Sequence, residues 1–227
     1  MTPIRWSVIR HCLLAFALAL VGIGTVSARS MAQPGSTIRA DSTAMAKARA
    51  DSARYPYTAA DVHFMSAMIG HHAQAITMSQ LAMMRDASPE VRRLAERIIN
   101  AQQDEIATMQ QWLRDRRQRV PEAKAGPMTM TMNGMEHDML MPGMLTDEEM
   151  AQLERLRGVQ FDRRFLSAMM QHHRGAVSMV KDLFGSYGAA QDEVVFKFAS
   201  DVGVDQATEI ARMEKMLAAL IFGIPVR

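Results

Sequence analysis

Residues 64–78, "FMSAMIGHHAQAITM", set two adjacent histidines in an apolar, methionine-rich run, and residues 165–179, "FLSAMMQHHRGAVSM", repeat the arrangement. A shift of 101 residues carries Asp61, Phe64, Ser66, Ala67, Met68, His71, His72, Ala75 and Met78 onto Asp162, Phe165, Ser167, Ala168, Met169, His172, His173, Ala176 and Met179. A shift of 104 carries Gln102, Glu105, Ile106, Met109 and Leu113 onto Gln206, Glu209, Ile210, Met213 and Leu217. Two matched segments in the same order, each with helical spacing of apolar residues, read as one helical hairpin present twice.

The punctuation around the repeat supports that reading. Thr58 with Asp61 three residues on starts a first helix that runs through Leu81, and Ser88 followed by Pro89 starts a second that ends before Pro121. Thr146 followed by Asp147, Glu148 and Glu149 is a capping box for a third helix expected to run to about Leu183. "GSYGAA" breaks the chain before a fourth helix ending near Gly223. Between the hairpins, residues 121–145 carry Pro, Gly and alternating Met without helical period and read as a long crossover, and no segment reads as a strand. The expectation is an all-α four-helix bundle over residues 58–221, made of hairpins 58–118 and 147–221 joined by the Met-rich crossover 121–145.

Ahead of the bundle, Arg5 and Arg10 precede an apolar run from Cys12 to Val26 and small residues at Ser27 and Ala28. This is the layout of a secretory signal over residues 1–28, cleaved after Ala28 or Ala32 and followed by a polar linker over residues 29–57. The alternative is an uncleaved anchor, but a span needs about 18 apolar residues and the run is shorter. The expected location is therefore periplasmic or extracellular, with no membrane span after cleavage. Cleavage removes the sole cysteine, and cleavage after Ala28 leaves 24 basic against 24 acidic residues. With no basic tract and few aromatics, the chain lacks the electrostatic footprint of a nucleic-acid binder.

A helix turns by about 100° per residue, so Met68 lies one turn before His71 and His72 and on the same face, with Met78 two turns beyond. Met169, His172, His173 and Met179 repeat this surface of imidazole and thioether. On the partner helices the apolar stripes that include Met109 and Met213, further candidate thioether ligands, are interrupted in line by Gln102 and Glu105, and by Gln206 and Glu209. A buried carboxylate is costly without a cation, a histidine or a metal beside it, and the facing histidines are its natural partners. These four polar residues are expected behind the metal ligands, orienting imidazoles. The competing reading makes the methionines core filler and the histidines hydrogen-bonded core residues that set helix register.

The crossover offers Met135, His137 and Met139 as a looser binding segment, together with Met128, Met130, Met132, Met141 and Met144. Core filling does not account for methionines in a loop, so binding of a soft ion or scavenging of oxidants is the expected use. Thioether favours Cu(I) over zinc, calcium or magnesium, and a mature chain without thiols has no softer donor.

The motifs "MIGHHAQAITM", "MMQHHRGAVSM", the paired "QxxEIxxM" helices and "GMLTDEEM" resemble the domain-of-unknown-function 305 family over about residues 58–221. That resemblance implies a ferritin-like bundle in exported bacterial proteins, with copper bound in some members through residues matching Met68, His71, His72, Met78 and their counterparts. The resulting expectation is an exported protein that sequesters or delivers Cu(I), contributes to copper tolerance and hands metal to a copper-accepting or copper-exporting protein. Two alternatives stay open: a ferritin-like metal-dependent oxidoreductase, although the chain has no Glu-x-x-His pair, and a metal-free structural or interaction bundle.

Overall fold

The computed structural model describes residues 57–132 and 135–223, and for residues 129–132, 136 and 137 the backbone alone. The secretory leader and almost all of the linker expected ahead of the bundle lie outside the described residues. Among the described residues five helices follow one another: α1 (Ala59–Ala82), α2 (Pro89–Asp115), α3 (Asp147–Arg155), α4 (Gly158–Gly185) and α5 (Glu193–Phe222). α1 pairs with α2, α4 with α5, and the two histidine-bearing helices α1 and α4 meet at the centre, giving an all-α bundle of two hairpins. No helix among the described residues is long and apolar enough to cross a membrane.

Local chemistry fixes the helix ends. Thr58 and Asp61 form a reciprocal capping box at α1, Ser88 caps α2 ahead of Pro89, and Thr146 and Glu149 box α3. Asp192 accepts from the amides of Val194 and Val195 at the start of α5, which ends on Gly223 in the left-handed region, φ 68°. α2 is amphipathic and buries Val91, Leu94, Ala95, Ile98, Ile106, Met109 and Leu113 along one stripe. α1 is buried on nearly every side, because α2, α4 and the crossover all pack on it.

Two expectations about the chain path need correction. The third helix is not continuous to Leu183: Leu156 and Arg157 are extended, and the chain restarts as α4 at Gly158, φ 53°. The break is held by the first hairpin's loop, since the Gly158 amide donates to the Arg85 carbonyl at 2.8 Å and Arg85 Nε donates to the Glu154 carbonyl at 2.6 Å. The crossover, in turn, contains an antiparallel pair, β1 (Met128–Met132) and β2 (Met135–Met139), with Met128 opposite Met139 and Met132 opposite Met135. Its sequence, alternating Met and Thr up to Asn133-Gly134, carries the period of two and the turn residues of a hairpin.

A further correction concerns the methionines of the crossover. Met141 and Met144 are core residues, 7% and 5% exposed, whereas Met135 and Met139 are exposed. At about 1.5–3 kcal/mol for each buried methionine side chain, this pair anchors the strap that leads from β2 to α3.

The core is divided across the middle. One apolar cluster gathers Phe64, Met65, Met68, Met109, Met141, Met144, Met179 and Leu183, and the other gathers Met78, Leu94, Ile98, Phe161, Phe165, Met169 and Met213. Between them along α1 and α4 lie His71, His72, His172 and His173, all fully buried.

Candidate metal centre

α1 and α4 cross at their histidines. The rings of His71 and His172 lie 3.8 Å apart between centroids and 36° from parallel, with His72 and His173 on the outer sides at 6.3 Å and 6.2 Å from their neighbours. Each outer ring meets a carboxylate of its own hairpin: His72 Nε2 lies 2.7 Å from Glu105 Oε2, and His173 Nε2 donates to Glu209 Oε2 at 2.6 Å. The two halves differ in alignment. The His173 contact is a directed hydrogen bond, whereas His72 Nε2 sits close to Glu105 off the hydrogen-bond direction.

The inner rings face backbone. His71 Nε2 donates to the Pro142 carbonyl at 2.9 Å, and His172 Nε2 donates to the His71 carbonyl at 2.9 Å. A carbonyl only accepts, so each inner ring carries its proton on Nε2 and a lone pair on Nδ1. Burial, followed by the neighbouring His72, lowers the pKa of His71 to about 3. Burial, then the neighbouring His71, pushes His172 well down as well, so both rings are neutral at physiological pH.

All four Nδ1 atoms are buried and have no hydrogen-bond partner. Both side-chain polar atoms of Gln102, and Oε1 of Gln206, are likewise buried and unpartnered. Orphaned polar atoms of this kind in a native interior call for a ligand or an ordered water. Imidazole nitrogens whose opposite N–H is fixed by a carbonyl or carboxylate match the way metal-binding histidines are held. Among the described residues no group of three or more His, Cys, Asp or Glu is arranged to hold a metal ion, so an ion held at these imidazoles would need a further donor, for which thioether sulfur is the soft candidate.

The methionines are shared differently from the single-helix face expected. Met68 and Met109 of the first hairpin fall in the same cluster as Met179 of the second, and Met169 and Met213 fall with Met78 of the first. The reason is the crossing of α1 and α4: residues that precede the histidines on one helix pack with residues that follow them on the other. Met68 and Met78 thus lie on opposite sides of the histidine layer. Met135 and Met139 lie on the exposed hairpin, outside this layer, and the side chain of His137 lies outside the described residues.

Three residues that build the site escaped the sequence reading: Gln74 and Gly175, which align where the repeat fails, and Gly143 of the crossover. Gln74 clamps the strap through both amide atoms, donating to the Leu145 carbonyl at 2.9 Å and accepting from the Leu145 amide at 2.7 Å. Its counterpart, Gly175, has no side chain, and the strap lies directly on it: a Cβ there would sit 1.8 Å from the Pro142 carbonyl oxygen. Gly143, φ 78°, completes this close approach. The mismatch between Gln74 and Gly175 is therefore the mark of a strap that crosses a pseudo-symmetric pair only once, and Pro142 is its contact with the histidine layer.

Outside the layer, between α2 and α5, a cleft of about 640 Å³ is lined by Asp104, Glu105, Lys197, Asp201 and Asp205 among others. Desolvation, then the charges of Glu105, Asp201 and Glu209, raises the pKa of Asp205. Glu105 thus lines an acidic cleft, and the charge of Glu209 is felt by Asp205 within it.

Residues 61–217 match the family described as domain of unknown function DUF305. The structure resembles a DUF305 protein from Streptomyces coelicolor, described as secreted, at 35% identity and TM-score 0.60, covering 71% of this chain and 93% of that one. A DUF305 fragment from Deinococcus radiodurans is similar at 30% identity and TM-score 0.59, covering 72% and 98%. CopM in its Cu(I)-bound form is similar at 26% identity and TM-score 0.51, covering 69% and 94%, and CopM has also been solved with Cu(II) and with Ag. Protein L153 of Acanthamoeba polyphaga mimivirus is 40% identical over 57 residues, a match that covers 25% of this chain and 38% of that protein. With its duplicated hairpin, paired histidines and a family match over residues 61–217, the chain belongs to the DUF305 family.

Proposed function

We propose that this is an exported copper-binding protein, periplasmic or extracellular, that sequesters Cu(I) or delivers it to a copper-accepting or copper-exporting protein and so contributes to copper tolerance. It acts as a binder and not as a catalyst. The observation that carries this reading is the layer of four buried imidazoles with unpartnered Nδ1 atoms, enclosed between two methionine-rich halves of the core.

Chemistry supports Cu(I) in particular. The donor types at hand are neutral imidazole and thioether, which suit a soft monovalent ion and require no deprotonation on binding. His71 and His172 are already neutral, so a proton does not compete for them near pH 7. Glu105 and Glu209 stand behind His72 and His173, where they orient the rings and offset positive charge. The similarity to CopM, solved with Cu(I), Cu(II) and Ag, and to a DUF305 protein described as secreted, points the same way.

A Cu(I) competition titration tests the reading. The wild type is compared with a variant carrying His71→Ala, His72→Ala, His172→Ala and His173→Ala, and with one lacking the hairpin at residues 128–139. The deletion stops there because Met141 and Met144 belong to the core. Circular dichroism of each variant separates loss of ligands from loss of fold. The expected result is a large fall in affinity for the folded histidine variant; unchanged stoichiometry and affinity would leave the histidines as core residues alone.

A further inference from the structure

A pocket of about 360 Å³ opens at the surface between the start of α1, the end of β2 with the strap, and the second half of α4. Its chemistry-bearing lining is His63, Met139, Met141, Met179 and Asp182, with Pro142 beside them. Met141 and Met179 are 7% and 8% exposed, while Met139 and His63 are open to solvent. The pocket therefore has a sheltered pair of thioethers and a reachable thioether and imidazole in one place.

Resting on the copper reading above, we propose that this pocket is a separate capture site for a soft monovalent cation, Cu(I) or Ag(I), bound by His63 with the thioethers of Met139, Met141 and Met179. Three features carry it. The three methionines come from two distant parts of the chain, β2 and its strap on one side and α4 on the other, and line one opening. Packing explains the buried Met141 and Met179 but not Met139, which is 45% exposed. The pocket also borders the interior site: Pro142 lines it, and the Pro142 carbonyl accepts the Nε2 proton of His71.

The repeat gives an internal comparison. His63 corresponds to Arg164 at the shift of 101 residues, and Arg164 Nη2 is paired with Glu149 of α3 at 3.3 Å. The equivalent position in the second half is thus closed by an ion pair with α3, and the histidine appears only where the pocket is open. A cation captured here stands one peptide group from the histidine layer, with the strap between the two sites.

Silver titration tests the proposal, because Ag(I) is diamagnetic and binds the same donors. Wild-type protein labelled at the methionine methyl carbons, and the variant His63→Ala with Met139→Leu, are titrated with Ag(I) at pH 7 and followed by NMR. Both substituted residues are exposed, so the fold is retained. The expected result is an early shift of the Met139, Met141 and Met179 methyls in the wild type. In the variant, one equivalent of binding is lost or weakened at least tenfold, and the Met141 and Met179 shifts no longer lead. If the interior Met68 and Met169 methyls shift while those of the pocket do not, or if the variant binds as the wild type does, the pocket site is overturned and the copper reading stands. If no methyl shifts in the wild type, both are overturned.

Discussion

Gly175 lies so close to Pro142 that a Cβ at position 175 would stand 1.8 Å from the carbonyl oxygen that receives the His71 Nε2 proton. The neighbouring atoms are backbone and cannot swing aside. Gly175→Ala therefore forces the strap off α4, at a cost of about 1–3 kcal/mol by the usual scale of overpacking. Urea denaturation measures the loss, and faster hydrogen exchange at the Leu145 amide, now held by Gln74, locates it in the strap.

The two hairpins also hold each other's loops. Asp61 of α1 accepts the Ala190 amide at 2.7 Å, and Asp162 of α4, its counterpart in the repeat, accepts the Ser88 amide through both oxygens at 3.3 Å and 3.2 Å. Asp162→Ala is expected to destabilise by about 1.5–3 kcal/mol, the scale of a charge-assisted bond with its partner left unpaired. Asp61→Ala is expected to cost more, because Asp61 also closes the capping box with Thr58. Equal urea midpoints for the two variants would contradict this ranking.

Stability of the metal-free protein should depend on pH through the inner histidines. His71 has a folded-state pKa of about 3, against 6.5 for the free side chain, and His172 is shifted in the same direction. Between those limits the unfolded chain binds the proton and the folded chain does not, so the folded state loses ground as pH falls. For His71 the contribution is complete above pH 6.5 and is lost toward pH 3, with a slope of about 1.4 kcal/mol per pH unit, and His172 acts in the same direction. Unfolding midpoints measured from pH 7 to 4, with the ring resonances of His71 and His172 followed by NMR, check both parts. Ring titration of either residue near pH 6.5 in the folded protein would refute the assignment.

Removing the carboxylates behind the outer histidines should weaken Cu(I) binding without changing the fold. Glu105→Gln and Glu209→Gln are each expected to lower affinity by about 10–100-fold, the range seen when a residue that orients a metal-bound imidazole is lost. The Glu209 change should be the larger, because His173 makes a directed hydrogen bond and His72 an unaligned contact. Competition titrations at fixed pH provide the comparison.

The bundle was legible because its signals are local and duplicated: caps at Thr58, Ser88 and Thr146, helical spacing through Phe64, Met68 and Met78, and the same pattern again from Phe165. The facing of Glu105 toward His72 was legible too, since a carboxylate in an apolar stripe needs a partner. What stayed hidden depends on contacts between segments far apart in sequence. Nothing near residue 158 says that Arg85 will hold the break before α4, and nothing near Met141 says that α1 and α4 leave room to bury it. The allocation of Met68 and Met78 to different halves of the core follows from how α1 crosses α4, which one helix read alone cannot give.

X-ray absorption at the copper edge of the Cu(I)-loaded protein addresses the central claim most directly, because it identifies the atoms bound to the metal. With the hairpin at residues 128–139 removed, the account predicts a first shell containing both nitrogen and sulfur, and loss of the nitrogen component when His71, His72, His172 and His173 are replaced by Ala. A shell without sulfur, or one left unchanged by the histidine replacements, would contradict it.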